Sequence, residues 1–160
     1  MAGFWAGRRP LSVQWGTSWD GRRLYVASWQ AKPGTLFALD PTTGHILWSN
    51  PNPSDGCTTG GAAAFPQCNL SLAAAVTTSP GLVYEGSIDG KMRIYNSSTG
   101  GILWQYDTIR QYTGVNGLTA SGGSIPGVGG AVVSHGQLYV QSGFTSSWGI
   151  PGHVLLCFGL

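Results

Sequence analysis

The chemistry open to this chain is limited by how few ionisable groups it carries. Its acidic residues number six and its basic residues eight. Asp40 and Asp89 fall in hairpin turns, and Asp20 and Asp55 fall in loops. At such places a short side chain that bonds the backbone two residues on is the economical role. Glu85 lies in an apolar run next to Gly86, and the sequence leaves open whether it lines a channel or faces solvent. No two of these carboxylates are spaced for general acid–base work, so the catalytic base and the metal ligands stay unassigned. The cysteines and histidines show no CxxC or HxxxH spacing, which argues against zinc. Cys57 and Cys68 share one turn-rich loop. A disulfide between them would contribute about 3 kcal/mol through chain entropy and would point to an oxidising compartment. Two free thiols in one loop are the alternative. Cys157, within Val154 to Phe158, is expected to be a small buried core residue. Asn116-Gly117 and Gly122 to Ile125 form a glycine-rich stretch in which backbone can approach a ligand closely; a plain loop is the alternative. Asn69-Leu70-Ser71 and Asn96-Ser97-Ser98 have the form of glycosylation sequons, which carry meaning only in a eukaryotic secretory chain.

Composition narrows the scaffold that must hold these groups. Glycine accounts for 26 of 160 residues and charged residues for only 9%. Seven Trp, six Tyr and five Phe stand against a single Glu and two Lys. Long helices favour Ala, Leu, Glu and Lys, so this balance points to an all-β protein. The net charge is +2, and Arg8-Arg9 and Arg22-Arg23 are isolated pairs, which gives no case for nucleic acid. No apolar run reaches the roughly 18 residues of a membrane span, and the first residues lack the apolar core of a signal peptide.

The elements follow from an internal repeat. Ala38 to Trp48 and Ile94 to Trp104 share Asp40/Asn96, Thr43/Thr99, Gly44/Gly100, Ile46/Ile102, Leu47/Leu103 and Trp48/Trp104. Self-similarity at a long fixed period signals repeated supersecondary units. Each copy reads as a β-hairpin in which Asp or Asn opens the turn, Gly closes it at positive φ, and the outgoing strand ends on Trp. Leu24-Tyr25-Val26, Leu82-Val83-Tyr84 and Leu138-Tyr139-Val140 recur at a similar interval. Strands are predicted at about 12–18, 22–28, 35–39 and 45–49, then 73–78, 82–87, 91–95 and 101–106, then 131–134, 137–140 and 154–158. They group into blades at about 12–49, 73–106 and 129–160, joined by long loops 50–72 and 107–128. The whole 1–160 chain thus reads as one partial β-propeller of three four-stranded antiparallel blades, the last incomplete. Closed propellers have about four to eight blades, so the sequence reads most simply as a fragment of a longer chain.

The repeat resembles the motif of the quinoprotein alcohol dehydrogenases and their relatives, the PQQ-binding-like β-propellers. Ala75 to Thr77 with Pro80 to Tyr95, Val115-Asn116-Gly117 with Gly122 to Ile125, Ser142 to Phe144 with Pro151 to Leu156, and Val13 to Gly16 with Asp20 to Val26 are similar to segments in the C-terminal part of the polyvinyl-alcohol dehydrogenase-like members. The resemblance implies that each motif Trp packs on the Gly of a neighbouring blade. It implies PQQ on the propeller axis, hydride transfer from an alcohol, and an electron acceptor such as cytochrome c or a quinone. It implies the remaining blades of a longer chain as partners, a small or polymeric alcohol as substrate, and a periplasmic or secreted location. Gln14 and Trp15 match a place where relatives set a polar–aromatic pair beside the cofactor, and Asn116 and Gly123 belong to a segment that could approach it. Calcium usually accompanies PQQ in this family. Here the first blade reads Ala27-Ser28-Trp29-Gln30 where relatives place a candidate calcium-ligating Asn, which puts calcium in doubt. A non-catalytic propeller scaffold for protein–protein contact is the alternative function.

Overall fold

The computed structural model describes residues 12–29, 33–127, 129–143 and 149–159. The expectations for residues 1–11, Gln30, Lys32 and Phe144 lie outside them. Four strands form the first sheet in the order β1 (Ser18–Trp19), β2 (Leu24–Ala27), β3 (Thr35–Leu39) and β4 (Ile46–Pro51). The second repeats the order with β5 (Thr77–Ser79), β6 (Leu82–Gly86), β7 (Lys91–Asn96) and β8 (Ile102–Asp107). A small hairpin follows, β9 (Gln111–Thr113) with β10 (Thr119–Ser121). The third sheet holds β11 (Val132–Ser134), β12 (Gln137–Ser142) and β13 (Val154–Gly159). Every strand pair is antiparallel.

The repeated hairpins form as their residue types dictate. Asp40 Oδ1 accepts from the amides of Thr42 and Thr43 at 2.8 and 2.9 Å, and Asn96 Oδ1 accepts from Ser98 and Thr99 at 2.9 and 3.1 Å. Gly44 and Gly100 close the two turns at φ +74° and +72°. A register shift follows in both copies, between Ala38 and Leu39 and between Ile94 and Tyr95. The bulge re-aims the strand that carries the Trp.

The sheets pack face to face in two apolar seams. Tyr25, Ala27, Leu36 and Ala38 of the first blade meet Val83 and Tyr95 of the second, with Trp48 at the margin. Tyr84, Met92 and Ile94 of the second meet Leu138 and Val140 of the third, with Trp104, Leu156 and Phe158 alongside. Trp48 lies on the next blade's turn: a Cβ added to Gly100 would stand 2.5 Å from the indole ring, and Trp48 Nε1 donates to Ser97 O at 3.0 Å. The first seam therefore contains the Trp-on-Gly contact that the motif implies. Tyr25, Tyr84 and Tyr139 occupy equivalent register positions, opposite Ala38, Ile94 and Cys157.

Several expectations need correction. The strand at 12–18 is only Ser18–Trp19, because the residues before it bond other segments: Gly16 O accepts from Val76 N and Ser12 O from Trp29 N. The strand at 73–78 shortens to Thr77–Ser79, since Ala74 pairs with Gly127 in a parallel bridge. The loops also contain local structure, a 3-10 turn at Gly60–Ala64 and the β9–β10 hairpin. Cys157 is exposed, not buried. Leu156 and Phe158 take the face towards the second blade, so the period-2 alternation turns Leu155 and Cys157 to the open face.

Candidate functional site

The innermost segments of the three blades meet side by side. Val76 N donates to Gly16 O, Ala75 N to Gly127 O and Gly127 N to Ala73 O, each within 3.0 Å. Thr77 Oγ1 donates to Ala131 O at 2.5 Å. Small residues permit this: a Cβ on Gly130 would stand 2.3 Å from Ala75 O. By contrast, Gly127 and Gly129 have nothing within 4 Å of where a Cβ would be, so the wall opens there. Trp15 precedes Gly16 on this wall, half-buried, and its buried indole Nε1 has no hydrogen-bond acceptor among the described residues.

The residues singled out with Trp15 do not all join it. Gln14 is exposed. Asn116 sits in the exposed turn between β9 and β10, and its Oδ1 accepts from Leu118 N at 3.2 Å. Gly123 is buried and pressed against backbone, with Ile150 O 2.3 Å from a would-be Cβ, so its close approach is to the chain itself.

A second set of groups lies buried in the seam between the first two blades. Arg93 is fully buried; its Nη2 donates to Asp89 Oδ2 at 2.7 Å and its Nε to Gln105 Oε1 at 2.7 Å. Asp89 also accepts from the Ser87 hydroxyl and from Lys91 N. It thus fills its predicted turn role and is also half of a buried ion pair. Lys91 Nζ donates to Gly56 O at 2.6 Å and Thr59 O at 3.4 Å. Asn52 Nδ2 reaches Leu70 O at 3.1 Å and Ser87 Oγ at 3.3 Å.

Glu85 neither lines a channel nor faces solvent. It is 1% exposed and paired in register with Arg93, yet both carboxylate oxygens lack a hydrogen-bond partner among the described residues. Burial pushes its pKa well above the ordinary value; the Ala74 amide, from beyond hydrogen-bond geometry, and the Arg93 charge pull only partly back. The Arg93 guanidinium is committed to Asp89, Ser87 and Gln105, so it offsets little of the burial that favours the protonated Glu85 carboxyl. Among the described residues no group of three or more His, Cys, Asp or Glu is placed to hold a metal ion.

Sequence reasoning missed Arg93, Lys91 and Asn52 as members of this cluster. A signal was present: Glu85, Asp89, Lys91 and Arg93 are four of the chain's 14 charged residues (8 + 6) within nine positions. Lys91 and Arg93 also alternate with Met92 and Ile94 on a strand whose two faces are both buried. The Cys57–Cys68 pair is a disulfide, with Cα atoms 5.7 Å apart.

Successive four-stranded antiparallel blades, stacked face to face with their inner segments in contact, define a sector of a β-propeller. The family model described as outer membrane protein assembly factor BamB matches residues 4–143, and the chain belongs to this family of PQQ-binding-like propellers. A polyvinylalcohol dehydrogenase of Pseudomonas sp is 31% identical over 92% of this chain and 25% of its own length. The chain thus spans about a quarter of that relative. Among solved structures, the quinohemoprotein alcohol dehydrogenase of Comamonas testosteroni aligns over 82% of this chain and 17% of its own, at a TM-score of 0.58 and 21% identity. BamB from Moraxella catarrhalis aligns over 79% and 33%, at 0.52 and 20%.

Proposed function

We propose that the chain is a sector, from the C-terminal blades, of a PQQ-dependent alcohol dehydrogenase of the polyvinyl-alcohol dehydrogenase type. The observation that carries this reading is the Trp15 indole on the wall where the inner segments meet, whose buried N–H has no acceptor among the described residues. A buried donor without a partner is uncommon in native proteins and calls for a ligand or water to complete it. Trp15 supplies a flat apolar surface and one donor, and the open ground at Gly127 and Gly129 leaves room beside the wall. These features fit a planar, acceptor-rich molecule such as PQQ. When bound, PQQ supplies the two-electron acceptor for the alcohol's hydride; this sector positions and desolvates it.

The relatives' fourfold greater length supports further blades as the partners of this piece, with the remaining walls, the proton acceptor and the contact to cytochrome c or a quinone among them. The open face bearing Val132, Leu155 and Cys157 suits such a blade, since the equivalent faces of the first two blades are covered. The disulfide supports an extracytoplasmic location. Activity in the piece alone is not expected, because a channel site needs most of its walls.

The test is PQQ retained after gel filtration, with tryptophan quenching read in parallel. The chain should retain PQQ, and Trp15→Phe should weaken retention about tenfold or more, the value of a hydrogen bond to a charged acceptor. A folded chain that retains none, or a Trp15→Phe variant that retains as much, overturns the proposal. The first outcome favours the second reading, a non-catalytic scaffold, which the BamB description of the family model supports.

A further inference from the structure

The loop from Asn52 to Leu72 leaves the last strand of the first blade and reaches the inner segment of the second. It crosses directly over the buried ion cluster. Gly56 lies so near Asp89 that a Cβ there would stand 2.3 Å from Oδ2. Both hydrogen bonds of the buried Lys91 ammonium go to loop carbonyls, Gly56 O and Thr59 O. Gly61 N donates to Asp107 Oδ2 at 2.8 Å. β8 therefore grips the loop through Asp107, while the loop caps Lys91 of β7.

Apolar packing adds little to that grip. Between the two cysteines Ala62 is the one fully buried apolar side chain. Lys91 has no carboxylate within salt-bridge distance among the described residues. A buried ammonium held only by carbonyls gains free energy when water reaches it. Lifting the loop therefore relieves Lys91, and the Cys57–Cys68 bridge opposes this by shortening the tether. Both cysteines are half-buried, so the bridge is within reach of a small reductant.

We propose that the Cys57–Cys68 disulfide is a redox latch. Closed, it holds the loop on Lys91 and seals Asp89 and its Arg93 partner from water. An external dithiol passes two electrons and two protons to the bridge, yielding two thiols and its own disulfide. The loop then lifts from Lys91 while the three sheets stay folded.

Lys91 reports on this directly, being one of two lysines in the chain. Its acetylation by an N-hydroxysuccinimide ester, followed by mass spectrometry with and without dithiothreitol, should accelerate at least about tenfold on reduction. The ceiling is about a hundredfold, the effect of closing so short a loop. Cys57→Ser with Cys68→Ser should give the fast rate without reductant, and reoxidation of the native chain should restore the slow one. Amide exchange in β2, β3, β6 and β7 should stay protected throughout. Unchanged Lys91 acetylation with the bridge fully reduced overturns the latch. So does a rise matched by lost protection in all four strands, which would make the bridge a staple of the whole fold.

Discussion

Gly44 and Gly100 offer a controlled comparison within one molecule. Both close the same turn, at φ +74° and +72°, behind the same Asx cap. Alanine at either pays the left-handed strain of about 1–2 kcal/mol. At Gly44 nothing else lies within 4 Å of the new Cβ. At Gly100 the Cβ would meet three Trp48 ring atoms between 2.5 and 3.0 Å. Moving that ring disturbs its 3.0 Å bond to Ser97 O and its contact with Tyr25, whose ring centroid lies 5.8 Å away. Overpacking of this kind adds about 1–3 kcal/mol. Gly44→Ala should therefore lose about 1–2 kcal/mol and Gly100→Ala about 2–5 kcal/mol. For a chain of this size the difference is about 2–12 °C in Tm. Urea unfolding followed by circular dichroism measures both variants at one m-value. Adding Trp48→Leu to Gly100→Ala should recover part of the penalty, as expected for coupled neighbours. Equal losses at the two glycines, or strict additivity with Trp48→Leu, would refute the claim that Trp packing joins the blades.

Two further outcomes concern the buried cluster. Glu85, with its folded pKa raised, contributes stability fully present below about pH 4.5 and lost as pH rises through the folded value. The native chain should therefore lose Tm as pH is raised above about 5, while Glu85→Gln should match it at pH 4, exceed it at pH 8 and flatten the profile, all read by thermal melts. Asp89→Asn leaves Arg93 buried without its counter-ion and should cost about 3–5 kcal/mol in urea unfolding; a loss under about 1 kcal/mol would mean that the guanidinium finds water or an ionised Glu85.

The parts of the fold that were legible in the sequence are those fixed by local chemistry. Asp40, Gly44, Asn96 and Gly100 are turn residues whose types admit few other roles, and the Trp-bearing strands follow them; the bulge came only with the structure. The inner strands were less legible. Residues 12–17 and 73–76 have strand-like composition, but Gly16 pairs with Val76 of the next blade and Ala73 to Ala75 pair with Gly127, a tertiary choice that period and propensity do not encode. Cys157 was misplaced for a related reason: an apolar strand has two faces, and which one is covered depends on what stands beside it.

The candidate site shows the same division in sharper form. Trp15 could be nominated from the family resemblance, yet only coordinates reveal that its buried N–H lacks an acceptor among the described residues. The charged cluster looked like an ordinary hairpin, Glu85 to Arg93, because side-chain burial in a seam depends on the blade packed against it. Its cover comes from the long insertion, which composition alone marks as mere loop. A polar loop can close over buried charge only where its own carbonyls and amides supply the partners, as Gly56 and Thr59 do for Lys91 and Gly61 does for Asp107. The insertion and the charged strand therefore depend on each other. Lys91→Met, which removes the ammonium and keeps most of the stem, should then weaken the drive to open without removing Ala62 or the bridge. With Lys91 gone the readout passes to amide exchange at Gly56 to Gly61, where reduction should cost less protection than in the native chain. An undiminished loss there would place the loop's release elsewhere than in the solvation of Lys91.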